Sequence, residues 1–405
     1  MTTLNQSFTV DYRFDLHFTS DCFAPDHDLL AGVLAGPTPG ARPARALVYL
    51  DQGVVERSPD LPRRIHAWFG VHEPRGVSLA AVPEIVAGGE EGKLDLAIVD
   101  RIGRRAAEVG LCRHSFIIII GGGGVLDAVG FAASLIHRGV RQVRLPTTTL
   151  AQCDAGLGVK NAINACGQKN FLGTFTPPWA IINDARFLET LDARSWRAGI
   201  SEAFKVAIIK DATFLTGLVE AASRLARRDP ASMAWLIERC ARLHLDHIAN
   251  GGDPFERGSS RPLDFGHWSA HQLEILSQHR LQHGEAVAIG VALDLLYAAD
   301  LGLIGQRQVL PVLDALLTCG FRLWDEVLDL RDASGRRQVL AGLVRFREHL
   351  GGDLSLAMPD GLGQRCDLHA FDEDRFERCA TALRRITALH GPAARQGSAE
   401  ASTPR

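Results

Sequence analysis

Hydrophobic and polar residues in the first part of the chain follow the periods of alternating strands and helices. Residues 9–19 alternate apolar and polar side chains, as in a half-buried strand, and RALVYLD at 45–51 is typical of a buried strand. LPRRIHAWFGVH at 61–72 has helical spacing, and VSLAAVPEIV at 77–86 predicts a further strand. A helix entered through glycine follows at 88–110. This order predicts an α/β fold.

A run of four isoleucines leads into a glycine-rich turn in SFIIIIGGGGVLDAVGFAASLIHRG, residues 115–139. The isoleucines predict a strand that is buried on both faces. The glycines let the backbone turn tightly into a helix whose N-terminus can face an anion. The run does not fit G-x-G-x-x-G, so the ordinary dinucleotide fingerprint is not supported. A tight turn that needs positive φ explains these glycines equally well.

Polar groups crowd the next segment, residues 143–175. Small residues surround these groups, which would let a ligand approach the backbone, and a surface loop is seldom so apolar and rich in glycine. We interpret the segment as the lining of a cleft. Its candidate functional residues are Thr147, Thr148, Asp154, Lys160, Lys169 and Asn170.

The pattern becomes helical after about residue 190. We therefore predict an N-terminal α/β domain at 1–190 and a helical domain at 191–392. The small, polar residues 393–405 predict a disordered tail. Helices are predicted at 197–227, 231–250, 266–279, 284–302, 306–319 and 335–350.

Composition excludes several classes of protein. A chain of 405 residues with 46% hydrophobic residues can bury two cores of ordinary size. It contains no run of about 18 uncharged apolar residues and no signal-peptide pattern, so we expect a cytoplasmic protein that does not contact membranes. The net charge of -3 argues against nucleic-acid binding. The 8 scattered cysteines, without a CxxC pair, indicate reduced thiols.

Lysine is rare in this chain. The 44 basic residues include five lysines, so arginine supplies positive charge almost everywhere else. The remaining lysines either mark positions that need a compact, titratable ammonium or are random survivors of codon bias. The five are Lys93, Lys160, Lys169, Lys205 and Lys210.

Three histidines in the stretch 264–285, DFGHWSAHQLEILSQHRLQHGE, are candidate metal ligands. His267 and His271 are spaced i,i+4 and share one face of a helix, and His283 precedes a second apolar helix. A catalytic zinc site normally has three protein ligands and one open position. Glu202, on an earlier apolar helix, is the best further candidate. The alternative is a set of core histidines with a buried salt bridge.

Together these segments resemble the sugar phosphate cyclases, typified by 3-dehydroquinate synthase. The matching motifs run in order through about 45–300 and include GGGGVLDAVGFAA, KNFLGTF, RAGISEAFK, and DFGHWSAH followed by HGEAVAIG. The resemblance implies an α/β N-terminal NAD-binding domain, Rossmann-like with a non-standard glycine motif. It also implies an all-α C-terminal domain that carries zinc or cobalt, and a homodimer.

The resemblance also implies roles for individual positions. Glu202, His267 and His283 correspond to the metal ligands, and Arg138 corresponds to an arginine that reaches the partner subunit's active site. The substrate and catalytic positions are Asp154, Asn170, Lys205, His271, Arg138 and Asp264. The NAD contacts correspond to Asp51, Glu90, Lys93, Gly123, Gly124, Val125, Asp127, Thr147, Thr148, Lys160, Lys169, Phe187, Leu188 and Thr190.

Departures from 3-dehydroquinate synthases bear on the substrate. Those enzymes usually have asparagine at Asp264, arginine at Ser260, lysine near Asp246 and a lysine pair near His349. Fewer cations disfavour a carboxylated substrate and favour a neutral heptulose phosphate. Asp264 is similar to the valiolone-type cyclases, which use sedoheptulose 7-phosphate, whereas residues 251–274 most resemble cyclases of bacterial ebo-type gene clusters.

The sequence therefore predicts a cyclase that converts a heptulose 7-phosphate to a cyclitol. The implied reaction is transient oxidation by NAD, β-elimination of phosphate, re-reduction and aldol closure. Alternatives are a 3-dehydroquinate synthase, a polyol dehydrogenase of the glycerol dehydrogenase type, and a cyclase-derived scaffold without activity. The residues expected to hold the phosphate are Lys160, Asn170, His271 and Arg138.

Overall fold

A computed structural model describes residues 1–35, 43–94, 96–258, 261–349 and 351–389. The predicted tail, Ser260 and the side chain of His349 lie outside this part of the chain. The chain divides into two compact units, one formed by residues 1–151 with 155–190 and the other by residues 152–154 with the chain from 191 onward. Each unit has its own set of secondary-structure elements.

The first unit is built on a parallel sheet with the strand order β1-β9-β6-β5-β2-β3, in which β4 also pairs with β2. A separate antiparallel hairpin consists of β7 and β8. The strands are β1 Asp15–Thr19, β2 Ala44–Asp51, β3 Val77–Leu79, β4 Glu84–Val86, β5 Phe116–Gly121, β6 Arg141–Pro146, β7 Lys160–Ala165, β8 Gln168–Phe175 and β9 Ala180–Asp184. The helices are α1 Leu29–Ala35, α2 Gln52–Arg57, α3 Leu61–His72, α4 Ala97–Glu108, α5 Gly123–Leu135 and α6 Arg186–Glu189.

The isoleucine strand β5 is buried on both faces, as predicted. Successive side chains of a strand point to opposite faces, so β5 contributes to two cores. Ile118 packs in one core with Trp68 of α3, and Ile117 packs in the other with Ile102 of α4. Helices on both faces of a parallel sheet form the α/β layer architecture that the sequence predicted.

Two strand predictions need correction. The predicted strand at 9–19 forms only over Asp15–Thr19, because its neighbour β9 offers partners only from Ala180 to Asp184. The predicted strand at 77–86 is two short strands, β3 and β4, which pair with different parts of β2. Pro83 lies in the interruption, where its missing N–H cannot support a continuous ladder.

The second unit is helical, as predicted, with one small antiparallel hairpin that the sequence patterns did not reveal. The predicted helix at 197–227 is two helices, because Asp211 ends the first and caps the second by accepting a hydrogen bond from Phe214 N at 2.9 Å. The helices are α7 Ala193–Lys210, α8 Ala212–Ala226, α9 Pro230–Asn250, α10 His267–Leu276, α11 His283–Asp300, α12 Gln306–Thr318, α13 Ala341–His349 and α14 Glu373–Leu389. The hairpin strands are β10 Leu356–Pro359 and β11 Arg365–Leu368. No helix in the described ranges has the length and apolarity required to span a bilayer.

Gly130 lies where α5 packs closely against β7, so a substitution at this position tests the core of the first unit. A Cβ at Gly130 would lie 2.1 Å from Asn161 Oδ1, and Asn161 is itself buried and accepts a hydrogen bond from Arg144 at 2.7 Å. We expect Gly130→Ala to lower the free energy of unfolding by about 1–3 kcal/mol, measured by chemical denaturation. Gly103→Ala in α4, where a Cβ meets open space, is the control and should raise it by about 0.5–1 kcal/mol. Equal effects of the two substitutions would contradict the packing.

Candidate functional site

Most of the predicted cofactor residues follow the carboxyl ends of neighbouring strands in the first unit. Strands β9, β6, β5 and β2 are adjacent, and β4 pairs with β2. Ligands of open parallel sheets bind outside this edge. In the order β2, β4, β5, β6 and β9, the residues at or after the strand ends are Asp51, then Glu90 and Lys93, then Gly123, Gly124, Val125 and Asp127, then Thr147 and Thr148, and last Phe187, Leu188 and Thr190.

The glycine-rich turn between β5 and α5 is held by Asp51 and by close backbone packing. The Asp51 carboxylate accepts a hydrogen bond from Gly122 N at 3.2 Å. A Cβ at Gly124 would lie 2.4 Å from the carbonyl oxygen of Gly89. Residues 121–124 have no positive φ, so the explanation by positive φ is wrong, and close approach is what requires glycine at Gly121 and Gly124. A glycine-lined turn that opens a 13-residue helix suits the phosphates of a dinucleotide.

A buried lysine joins two parts of this region. Lys93 is 3% exposed, and its ammonium donates to Asp127 Oδ2 at 2.7 Å and to Asn170 Oδ1. Burial raises the pKa of Asp127, and the charge of Lys93 opposes that rise. Asn170, which the sequence assigned to substrate, therefore contacts a predicted cofactor residue in this structure. Its φ is 55°, a left-handed conformation that asparagine tolerates.

A second polar contact fixes the β7–β8 hairpin. Glu90 lies 3.1 Å from Lys169 Nζ and accepts a hydrogen bond from Asn164 Nδ2 at 2.9 Å. Burial opposes the charge of Glu90, but Lys169 and this hydrogen bond outweigh it and lower the pKa of Glu90. Sequence reasoning missed Asn164, because it did not predict the hairpin that brings residues 164 and 169 together.

The remaining predicted residues of this unit are exposed. Lys160 begins β7, and Arg138 follows the end of α5. Arg138 has a φ of 65° and its neighbour His137 a φ of 52°. Left-handed conformations at non-glycine residues cost about 1–3 kcal/mol each and cluster at functional positions. The backbone therefore supports Arg138 as a functional candidate.

The second unit brings the three predicted metal ligands together from three helices. Glu202 lies on α7, His267 is the first residue of α10 and His283 is the first residue of α11. Glu202 Oε1 is 3.9 Å from His267 Nε2 and 3.5 Å from His283 Nε2. A tetrahedral zinc ion with bonds of about 2.0–2.2 Å keeps its ligand atoms about 3.3–3.6 Å apart. The separations are thus close to those of a zinc site and long for direct hydrogen bonds.

Burial and mutual charge set the protonation states of this triad. Burial, Lys205 and His283 hold the pKa of His267 well below its usual value. Burial disfavours a charge on His283, but Glu274 and Glu202 outweigh it and raise the pKa of His283 to about 9. Burial also disfavours a charge on Glu202, yet Lys205 and His283 lower its pKa to about 2. His267 is therefore neutral at pH 7, whereas His283 carries a proton that a metal ion would have to displace.

Lys205 extends the charged network. Its Nζ is 2.6 Å from Glu202 Oε2 and 3.7 Å from Asp154 Oδ2. Burial alone would lower the pKa of Lys205, but the carboxylates of Glu202, Asp154 and Asp264 outweigh burial and raise the pKa above its usual value. The ammonium is therefore charged. His244 Nδ1 lies 3.3 Å from Asp154 Oδ1. Sequence reasoning missed His244, because a lone histidine on α9 has no motif around it.

His271 and Glu274 form a second group on the same side of α10. The ring of His271 has its centroid 5.4 Å from that of His267 and 5.8 Å from that of His283. Within the described ranges, ligand atoms of His271, Glu274 and His283 lie within 4.8 Å of one another, as do those of the first triad. His271 is exposed, whereas Glu202 and His267 are buried, so the first triad is the better metal site. The spacing H-x3-H-x2-E, which puts all three side chains on one face, could have revealed Glu274.

Comparison with known proteins identifies the family. Family models described as 3-dehydroquinate synthase N-terminal and C-terminal match residues 84–198 and 199–335. A 2-epi-5-epi-valiolone synthase from Streptomyces glaucescens is 33% identical over 374 residues, which cover 92% of this chain and 90% of that protein. This chain belongs to the 3-dehydroquinate synthase-like family of sugar phosphate cyclases.

One further relative and one solved structure support this membership. A 3-dehydroquinate synthase from Nitrosococcus oceani is 34% identical over 294 residues, covering 72% of this cyclase and 80% of that enzyme. The structure of ValA, the 2-epi-5-epi-valiolone synthase of Streptomyces hygroscopicus subsp. jinggangensis, has NAD+ and Zn2+ bound. It superposes with a TM-score of 0.80 at 27% identity, covering 95% of this chain and 100% of that one. The predicted family and fold are therefore confirmed.

The ion pair between Lys205 and Glu202 is testable in the metal-free cyclase. Both side chains are buried, so Lys205→Met removes the nearer of the two cations beside the Glu202 carboxylate, and we expect the free energy of unfolding to fall by about 3 kcal/mol. The double variant Lys205→Met/Glu202→Gln should recover most of the loss. Arg242→Met, which breaks the exposed pair with Glu238, should change it by less than about 1 kcal/mol. Chemical denaturation in chelator measures all three, and additive losses in the double variant would refute the coupling.

The triad should take up Zn2+ in a pH-dependent way. Below pH 9 a proton occupies His283, so uptake releases one proton, while Glu202 and His267 have none to release near neutrality. We expect the apparent zinc affinity to weaken about tenfold for each unit by which the pH falls from 9 to 6.5. Competition with a chelator of known pH dependence measures the slope. A slope of two protons would show that His267 is also protonated.

Proposed function

We propose that this chain is an NAD- and divalent-metal-dependent cyclase that converts a heptulose 7-phosphate to a cyclitol. The specific substrate that we propose is sedoheptulose 7-phosphate. The observation that carries the proposal is the buried convergence of Glu202, His267 and His283 next to the Lys205 ammonium. The similarity to 2-epi-5-epi-valiolone synthases over nearly the whole chain supports this substrate class. We further propose zinc or cobalt as the metal and the cytoplasm as the location.

The proposed reaction has no net oxidation. One C–O bond to phosphate breaks and one C–C bond forms, so the cyclitol differs from the sugar phosphate by the loss of phosphoric acid. NAD and a divalent metal ion would supply reversible hydride acceptance and stabilisation of an alkoxide. The protein has to bind the two ends of the substrate and exclude water. Its electrostatic preorganisation is fixed before substrate arrives, because Lys205 is already charged and held by Glu202 and Asp154.

The residues of the first unit fit NAD. The turn at 121–124 presents backbone and no side chains at the start of α5, and Asp51 holds that turn by its bond to Gly122 N. We propose that NAD binds along the strand ends, with its pyrophosphate at α5. The Lys93–Asp127 ion pair would then orient polar groups of the cofactor or substrate.

Asp264 supports a neutral sugar phosphate over a carboxylated one. Its charge acts on Lys205, so a substrate carboxylate near this ammonium would also meet the carboxylate of Asp264. Like charges at close range are unfavourable, whereas sugar hydroxyl groups can donate to Asp264. The alternative of a 3-dehydroquinate synthase retains the support of the match to Nitrosococcus oceani.

We also propose a homodimer in which Arg138 reaches the active site of the partner subunit. The exposed, left-handed position of Arg138 supports this role, because strain of this kind persists where function requires it. With Lys160, Asn170 and His271, it would hold the substrate phosphate.

A phosphate-release screen tests the proposal. The protein, loaded with Zn2+ and NAD, is assayed with sedoheptulose 7-phosphate and with 3-deoxy-arabino-heptulosonate 7-phosphate, and products are identified by mass and NMR. We expect phosphate and a cyclitol from the first substrate only, without accumulation of NADH, because the hydride returns within each cycle. Protein treated with chelator is the control.

Each alternative has its own outcome in this screen. Release from the carboxylated substrate alone would establish the 3-dehydroquinate synthase and overturn the proposed substrate. Accumulation of NADH without phosphate would indicate a polyol dehydrogenase. Purified protein that holds neither metal nor NAD and releases no phosphate would indicate the scaffold.

A further inference from the structure

The second nitrogen of the His283 ring also faces a carboxylate. His283 Nδ1 lies 3.3 Å from Glu274 Oε1, while His283 Nε2 lies 3.5 Å from Glu202 Oε1. Glu274 is 4% exposed and lies on α10, seven residues after His267. Seven residues are about two turns of helix, so His267 and Glu274 project from the same side. One helix thus provides a metal-ligand candidate and a carboxylate behind a second ligand.

A carboxylate at this place determines which nitrogen of His283 can bind a metal. A neutral imidazole carries one N–H, and the nitrogen without it has the lone pair that binds metal. An Nδ1–H directed at Glu274 leaves the lone pair on Nε2, the atom that faces Glu202. The same bond restrains rotation of the ring, and the negative charge raises the basicity of the ligand.

We propose that Glu274 is a positioning residue, which accepts a hydrogen bond from His283 Nδ1 and so directs His283 Nε2 to the metal ion held with Glu202 and His267. This inference rests on the proposed metal site. Neither the family comparison nor the sequence motifs assign a role to Glu274. The residue contacts no substrate in this scheme and acts only through His283.

The competing arrangement is that Glu274 is itself a ligand. His271, Glu274 and His283 have ligand atoms within 4.8 Å of one another and could hold an ion through the Nδ1 side of His283. The two arrangements use opposite nitrogens of one ring, and they depend on different neighbours. Glu202 is essential in the first and dispensable in the second, whereas His271 is dispensable in the first and essential in the second.

Zinc affinity of the full-length protein, measured by chelator competition, separates these arrangements. We expect Glu274→Gln to bind one equivalent of zinc about 10–100-fold more weakly than the wild type, the range typical for loss of a carboxylate behind a metal-bound histidine. Glu202→Ala should lose tight binding, and His271→Asn should stay within about threefold of the wild type, because His271 supports no ligand in this scheme. Glu220→Gln, an exposed substitution on α8, is the matched control and should leave the affinity unchanged.

Long-range 1H–15N NMR of the zinc-loaded wild type gives a second measurement that needs no variant. We expect His283 to carry its proton on Nδ1 and zinc on Nε2. Zinc on Nδ1, an unchanged affinity in Glu274→Gln, or a loss in His271→Asn equal to that in Glu274→Gln would each overturn the inference. Retention of tight zinc binding by Glu202→Ala would also overturn the proposed metal site, so the two failures are distinguishable.

Discussion

The burial of the Glu202 carboxylate is the constraint on which the second unit depends. A charge that is 1% exposed is tolerated only beside opposite charges, and the chain provides two of them. Lys205 comes from the same helix and His283 from the first residue of α11, while the neutral His267, the first residue of α10, lies on a further side. The first residues of α10 and α11 must therefore lie beside Glu202. Stability of the unit and the geometry of the proposed metal site are consequences of one arrangement of charge.

In the first unit, backbone packing has the corresponding role. Gly124 and Gly89 lie so close that no side chain would fit between them, and Asp51 connects the turn to the end of the neighbouring strand. A surface made of main-chain groups at a helix N-terminus recognises charge and shape and does not depend on side-chain rotamers. This explains how the motif can depart from G-x-G-x-x-G and still suit the proposed dinucleotide site.

Sequence patterns predicted the architecture because it rests on strong local signals. The buried isoleucine strand and the helical periodicity after residue 190 each appear in a short window, whereas the set of Glu202, His267 and His283, which lie on three helices, needed the resemblance to the cyclase family. The hairpin of β7 and β8 was missed because its residues are small and polar without clear alternation. Asn164 and His244 were missed because their importance comes from contacts with Glu90 and Asp154, which are distant in sequence. The break at Asp211 was missed because apolar spacing continues across it.

The scarcity of lysine has a practical consequence for anyone who attaches this protein to a surface or a dye. Of the five lysines, Lys93 and Lys205 are buried within ion pairs, and Lys210 is partly buried at the end of α7. The exposed side-chain amines are those of Lys160 and Lys169, both on the β7–β8 hairpin. Amine-directed chemistry thus concentrates on one hairpin in the region proposed to bind cofactor and phosphate. Coupling through a terminus would spare this hairpin, whereas coupling through cysteine would not, because the exposed Cys166 lies between β7 and β8.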